Sequence, residues 1–507
     1  MRRNCYVTTP IYYVNDAPHL GHTYTTVAAD IYARHRRALG DDTVMLTGTD
    51  EHAAKILSAA ARAGLDPKAY CDRMADVWVK EWQALDVRFD RFIRTTDPDH
   101  EMTVRNVLAR LHESGDIYRG HYEGLYCTGC EKFIAPEDLV DGHCPDHQMP
   151  PKSYCEENYF FRLSRYQDAI RKTIENGEMS IEPETRRNEI LGKLGLGLDD
   201  ISISRTAQPW GVRLPFDEKH TAYVWIDALI NYATGINLLG IPGAGAARPE
   251  LWDGVVHLMA KDIVWFHAVI WSGMLLALGL RPPRRIVVHG FFTVDGRKMS
   301  KTIGNVIRPS ALVERFGVDP TRMLTVSMFP FGSDGDFSSQ ALVERYNRLL
   351  PDNLGNLVAR TYAMVRKYFP GDFAAKQVSD RMWTGIRRQV HSYREAVERF
   401  ELHRMVDAVF ELSDSANKYI QETTPWILAK NARTDELRIV LSDLLCCIQS
   451  VAVLLLPVMP TVAQTIFSRF GSPPNLAQSY RELLMDKPPV VGTFNPGDPD
   501  IPFRKIV

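Results

Sequence analysis

Three groups of residues have types and spacings that could do chemistry. The first is "PHLGH", with His19 and His22 three positions apart and Gly21 between them. A metal site, buried structural histidines and a phosphate-binding turn all fit that pattern. A zinc-protease site would need His-Glu-x-x-His, which is absent here. On a helix, His19 and His22 share one face. At a helix start they would sit beside free N–H groups and partial positive charge, which suit an anion. Gly21 leaves room for a ligand to approach the backbone. The second group is "KMSKT", with Lys298 and Lys301 on a loop and Gly296 and Gly304 nearby. Two mobile ammonium groups can follow negative charge onto a leaving pyrophosphate. The third is Cys127-x-x-Cys130 followed by Cys144-Pro-Asp-His147. Two short-spaced donor pairs across a loop suit one tetrahedral structural zinc, with His147 or Cys155 as the fourth ligand. The first two groups alone have plain readings: structural histidines and a solvated basic loop.

The elements that must position these groups are readable. "CYVTTPIYYV" is a strand, "NDAP" a turn, and Pro18 suits the first turn of a helix running from His19 to about Leu39. "DTVMLTGTD" is a second strand, followed by an Ala-rich helix from Glu51. That is the start of a parallel, doubly wound sheet, in which ligands bind beyond the strand C-termini. Both "PHLGH" and "GTDEH" fall there. Near residue 116 a loop-rich, cysteine-bearing segment interrupts the sheet, and the sheet resumes past "WGVRLPFD". "RRIVVHGFF" is a later strand, and the lysine loop follows it. From about residue 340 long amphipathic helices form an all-helical domain. The spacing predicts five parts: 1–115 and 221–290 as two halves of one domain, 116–220 as a zinc-bearing insertion, 291–348 as a linker region holding the lysine loop, and 349–507 as a helical bundle with a C-terminal tail.

Net charge is −2, so no global basic field announces a nucleic acid, and any such contact must use local patches. Four of the eight cysteines lie between Cys127 and Cys155, which favours a metal site over a disulfide framework. The N-terminus shows no secretory h-region, and a cytoplasmic location is expected. "SVAVLLLPVMPTVA" (450–463) is too short and proline-broken to span a bilayer and reads as a buried helix. No membrane association is expected.

A His-x-Gly-His after the first strand and a Lys-Met-Ser-Lys after the last strand of one interrupted sheet is a specific combination. "HLGH" and "KMSKT" resemble the two signatures of class I aminoacyl-tRNA synthetases. Thr302 stands where serine is commonest and keeps a hydroxyl. "TTPIYYVN", "GTDEH", "YCTGCEKF", "VWIDALINY", "KDIVWFH" and "HGFFTVDGRKMSKT" are similar to the methionine branch of that family. The resemblance covers nearly the whole chain. It implies a Rossmann-like sheet, ATP with Mg2+, L-methionine and tRNA(Met) as partners, and methionyl transfer to the tRNA 3' end through a methionyl-adenylate. The Ile, Val and Leu enzymes need a large editing insertion, because an apolar pocket rejects one methylene by only ~1–3 kcal/mol. The insertion here is short.

The resemblance also assigns residues. His19, Gly21, His22, Asp262, His289, Gly290, Lys298, Met299, Ser300 and Lys301 map to the ATP site, with His19, His22, Lys298 and Lys301 in the catalytic role. Ile11, Tyr13, Trp225, Ala228, Leu229, Tyr232, Ile263 and His267 map to a methionine pocket, where aromatic edges suit a polarisable thioether. Asp50 would pair with the substrate ammonium. Leu229 stands where many members have proline, and Ala260 where many have glycine. Cys127, Cys130, Cys144 and His147 match one structural zinc knuckle that helps place the tRNA acceptor end. Asn353, Asn356, Arg360 and Trp426 map to anticodon recognition, with Arg387, Arg388, Arg394 and Lys367 near phosphates. No appended dimerisation module is recognised, so a monomer is expected.

Overall fold

The β-branched and aromatic runs form the strands their patterns predict. In chain order the central strands are β1 (Asn4–Tyr13), β2 (Asp42–Asp50), β3 (Arg91–Arg94), β4 (Ser180–Glu182), β5 (Val255–Ala260) and β6 (Arg285–His289). The structure, a computed structural model, describes residues 2–127, 132–134, 136–145, 148–206, 208–298, 306–470, 475–489, 491–495 and 503–506. The six strands make one parallel sheet in the order β3-β2-β1-β5-β6-β4. Strand order reverses between β1 and β5, so a crevice opens at their C-terminal ends. Register widens it. β1 pairs with β5 only through Tyr6–Thr8, but runs with β2 as far as Tyr13 opposite Asp50. The ladder is irregular between Thr8 and Ile11, where Pro10 has no N–H to donate.

The interrupting segment forms a long antiparallel pair, Ile117–Cys127 with Lys152–Phe161, flanked by Lys132–Ile134 and Ile201–Ser202. It is not wholly separate from the sheet. β4 lies inside residues 116–220 yet forms the edge of the central sheet, where Glu182 makes a two-point pair with Arg285 at 2.7 and 2.6 Å. A three-residue strand gives almost no local pattern to read.

The lysine loop does not follow β6 directly. Gly290 bends the chain against the backbone of Ser333, which approaches so closely that any Cβ there would lie 2.3 Å from its carbonyl oxygen. A small hairpin then pairs Phe292–Val294 with Arg297–Lys298 across Asp295-Gly296, both at positive φ, as a tight Asp-Gly turn requires. Asp336 on the neighbouring strand accepts from Thr293 Oγ1 at 2.6 Å and Gly296 N–H at 2.7 Å.

Helices dominate from Ser339 onward, with Asp380–Glu398, Leu402–Thr423 and Thr434–Leu455 the longest of them. The expected single buried helix over 450–463 is two elements. The first ends at Leu455 and the next begins at Pro460, with prolines 457 and 460 closing off the intervening turns. Among the described residues, Thr434–Leu455 is the helix long and apolar enough to cross a membrane, but 89% of its apolar window is buried inside the protein. It is the core of the helical domain. Arg322, fully buried, joins the two domains: its guanidinium pairs with Asp30 at 2.7 Å and donates to the carbonyls of Leu85, Pro457 and Val458.

Candidate active site

The helix Leu20–Ala38 begins on the crevice floor, and its two histidines are its cap. His19 is the N-cap residue, one step outside the helix, so Pro18 precedes the helix and does not occupy its first turn. The Gly21 N–H donates to His19 Nδ1 at 3.1 Å, and the His19 N–H donates to His22 Nδ1 at 3.2 Å. This is a reciprocal capping box built from two imidazoles. The rings stack at 3.8 Å, and His22 also packs against Tyr12 and Trp78. Burial lowers the pKa of both histidines, His22 well below the ordinary value. With Nδ1 accepting and the ring neutral, each Nε2 carries the proton. The cap thus leaves two neutral N–H donors at a helix N-terminus.

The segment that precedes the hairpin and the segment that follows the lysine loop both return to this helix. The Leu20 N–H donates to the Ile307 carbonyl at 3.0 Å. At the other end, His289 closes β6 with Nε2 2.6 Å from Thr25 Oγ1 and Nδ1 2.8 Å from the Gly290 carbonyl. Met299, Ser300 and Lys301 lie outside the described residues, as does the Lys298 side chain.

The other wall of the crevice is aromatic. Asp50 ends β2, buried, opposite Tyr13 at the end of β1. Tyr13 meets Trp225 edge-on at 6.4 Å, and Trp225 stacks on Phe266 at 4.1 Å. Trp225, Ala228, Leu229 and Tyr232 share the helix Val224–Thr234. The Tyr232 hydroxyl donates to His267 Nε2 at 2.7 Å, because His267 Nδ1–H is used on the Ile263 carbonyl at 2.9 Å. Burial holds His267 at about 4, so the ring is a neutral acceptor. Ile11 and Ile263 are half-buried at the rim, and Asp262 is exposed just past β5.

Behind this wall lies a polar cluster that spacing did not reveal. Glu51 makes a two-point pair with Arg94 and accepts from Thr49 and Thr96. Asp227 accepts from His52 at 2.7 Å and His100 at 3.0 Å. Burial pushes the Asp227 carboxyl up, but the His52 charge and both histidine hydrogen bonds outweigh it and hold it at about 2. A lone carboxylate in the apolar run "VWIDALINY" was the available signal.

The family model for class I tRNA synthetases (M) matches residues 5–152 and 147–362, and that for the anticodon-binding domain of tRNA ligase matches 381–488. A methionine–tRNA ligase of Caldanaerobacter subterraneus is 42% identical over 477 residues, 93% of this chain and 74% of that protein. The chain belongs to the methionine–tRNA ligase family. A Streptomyces coelicolor ligase is 40% identical over 502 residues, 95% of this chain and 92% of that one. The Mycobacterium tuberculosis methionyl-tRNA synthetase bound by methionyl-adenylate superposes with a TM-score of 0.90 at 37% identity, covering 97% of this chain and 99% of that one. As a member, the chain is an ATP-dependent ligase that binds ATP, methionine and tRNA.

The structure joins His19, Gly21 and His22 in one cap, with His289 bonded to the same helix at Thr25, and sets Tyr13 beside Asp50 and Trp225, with Tyr232 on the Trp225 helix bonded to His267. One carried-over residue needs correction. Asn353 is only 5% exposed, and its amide is consumed by Asp414, the Phe410 carbonyl and Ser413. It lies in a widened helical stretch before Asn356, so the three residues do not form one regular exposed face, and Asn353 offers no edge to a base. Asn356 and Arg360 are half-buried, and Trp426 is 41% exposed. Lys367, Arg387, Arg388 and Arg394 are exposed. Of the expected zinc ligands, Cys127 and Cys144 are buried together with Ile134 in a small satellite cluster. Cys130, His147 and the Cys155 side chain lie outside the described residues, and among the described ones no group of three or more donors is assembled.

The histidine chemistry has a consequence for stability. Burial depresses His22 and His257 well below the ordinary pKa, His35 to about 3, and His267 and His289 to about 4. Below pH 6.5 the unfolded chain binds protons at these sites that the folded chain does not. Stability is therefore expected to fall as pH drops from 6.5 toward 4. Denaturant unfolding at pH 7.0, 6.0 and 5.0 checks it; a flat midpoint across that range contradicts the burial.

Proposed function

We propose that the two ends of the crevice divide the activation step, with His19, His22, Lys298 and Lys301 on the ATP phosphates and Asp50 with the aromatic wall on methionine. The observation that carries this reading is the two-imidazole cap at the helix N-terminus, with the segment after the lysine loop bonded to it through Leu20 and Ile307. The methionine carboxylate attacks the α-phosphorus of ATP, forming the acyl–phosphate bond of methionyl-adenylate as the α–β bond breaks and pyrophosphate leaves. The carboxylate is already ionised, so positioning and charge neutralisation matter more than a general base. The histidine N–H groups and lysine ammonium groups neutralise charge on the departing pyrophosphate. Magnesium on the ATP phosphates supplies further neutralisation. The 3'-terminal ribose hydroxyl of tRNA(Met) then takes the methionyl group, releasing AMP. Asp262 and the backbone at His289 and Gly290 would hold the ribose and adenine.

The test is amino-acid-dependent ATP–pyrophosphate exchange with each of the twenty amino acids. Exchange with methionine alone supports the reading. Exchange with another amino acid overturns the pocket assignment, and none at all from folded protein overturns the activation chemistry.

The segment from 349 onward is assigned to the anticodon, with residues 1–115 and 221–290 as catalytic halves, 116–220 as the insertion and 291–348 as the loop and linker region. An exposed Trp426 suits stacking on an unpaired loop base, with Asn356 and Arg360 reading base edges. Trp426→Ala is expected to lower aminoacylation kcat/KM about 10- to 100-fold, consistent with ~1–3 kcal/mol per stacked base, and to leave pyrophosphate exchange unchanged. Equal losses in both assays would remove Trp426 from recognition.

The buried thiols of Cys127 and Cys144 suit a structural zinc completed by Cys130 and His147. Bound there, the metal supplies folding stability to the knuckle and no step of the reaction. Metal analysis is expected to give one zinc per chain, lost in Cys144→Ser; a metal-free active enzyme would refute it. The monomeric state and cytoplasmic location belong to this same reading.

A further inference from the structure

Asp227 is 1% exposed, the single carboxylate in the helix Val224–Thr234 that carries Trp225, Ala228, Leu229 and Tyr232. Burying a carboxylate is costly unless hydrogen bonds satisfy it. Both of its oxygens are satisfied, each by a different element. Oδ2 accepts from His52 Nδ1 at 2.7 Å, and His52 lies two residues beyond Asp50 at the end of β2. Oδ1 accepts from His100 Nε2 at 3.0 Å, and His100 belongs to the helix Pro98–Glu113. His100 holds the same helix a second time, with Nδ1 3.1 Å from Thr234 Oγ1. His52 is itself fixed, since its carbonyl accepts from Gln208 at 3.1 Å and its ring meets Trp210 edge-on. Trp210 in turn donates to the Glu51 carbonyl at 2.6 Å.

The two parts of the methionine site thus come from chain segments about 175 residues apart, and a side-chain bond between them sets their separation. We infer that Asp227 is a positioning residue that pins the methionine side-chain pocket to the Asp50 ammonium site through His52 and His100. The inference rests on the pocket reading above. Neither Asp227 nor the two histidines needs to touch substrate. A misplacement of the wall by a fraction of an ångström would loosen methionine and leave ATP, bound at the other end of the crevice, unaffected.

Nitrogen geometry gives a selective test. Asparagine can present an N–H where His52 Nδ1 sits, and glutamine can present one where His100 Nε2 sits; leucine can do neither. In pyrophosphate exchange, His52→Leu is expected to raise the methionine KM about tenfold, with the ATP KM within about twofold. His52→Asn is expected to restore the methionine KM to within about threefold of the parent. If His52→Leu does not fold, His100→Leu against His100→Gln reads the same contact. The inference is overturned if methionine and ATP KM rise together, if the amide variants are as impaired as the leucine ones, or if no KM changes. Trp225→Ala separates the two readings. If it raises the methionine KM while His52→Leu does not, the pin alone is wrong. If it leaves that KM unchanged, the pocket assignment falls, and the pin with it.

Discussion

Replacing His22 by alanine is expected to lower kcat for methionine-dependent pyrophosphate exchange by about 100- to 1000-fold, the usual cost of one preorganised donor to developing charge. The reasoning is specific to the tautomer. His22 Nδ1 accepts from the His19 N–H, and burial keeps the ring neutral, so its one N–H is on Nε2. That donor needs no proton from solvent and no reorganisation. Alanine also removes a capping acceptor, which costs about 1 kcal/mol of helix stability. His22→Asn is the control, because its side-chain oxygen can accept where Nδ1 does but offers nothing where Nε2–H does. Both variants are expected to show the rate loss, and only alanine the capping loss in thermal melting. The methionine KM should stay within about twofold in both, as should that of Lys298→Ala, which is expected to share the loss in kcat. A raised methionine KM with unchanged kcat would move these groups off the phosphates.

Asp50→Asn should raise the methionine KM about 150- to 5000-fold, in line with ~3–5 kcal/mol for breaking a buried charge pair. Asp50 is 3% exposed, so its charge is little screened, and asparagine keeps its shape. Its position is held from behind by Glu51, locked to Arg94, Thr49 and Thr96. The ATP KM should not move. Steady-state exchange with each substrate varied in turn gives the answer, and a KM change of less than about threefold would assign the ammonium to another group.

These expectations rest on local chemistry that one strand or turn reveals. The β-branched and aromatic run "CYVTTPIYYV", the turn at "NDAP" and the helix behind "HLGH" placed the histidines at a strand-to-helix crevice. The Lys-Met-Ser-Lys loop and the ordered family motifs then pointed to the methionine branch. Caps were harder: that His19 and His22 cap each other depends on χ angles that no spacing encodes. Asn353 looked like a recognition residue because it repeats with Asn356 and Arg360. Its amide turned inward because the widened stretch Leu350–Gly355 rotates it toward Ser413 and Asp414.

By itself the sequence determined the sheet-forming runs, the order of the motifs and the family, because β-branched and aromatic runs, helix periodicity and signature residues are short-range properties. Tertiary structure alone decided that Ser180–Glu182 completes the central sheet, that Asp336 anchors the hairpin before the lysine loop, and that Asp227 meets His52 and His100. Each of those contacts joins residues tens to hundreds of positions apart. A buried carboxylate or a three-residue strand is stable only with its distant partner in place, so nothing in its own neighbourhood names that partner.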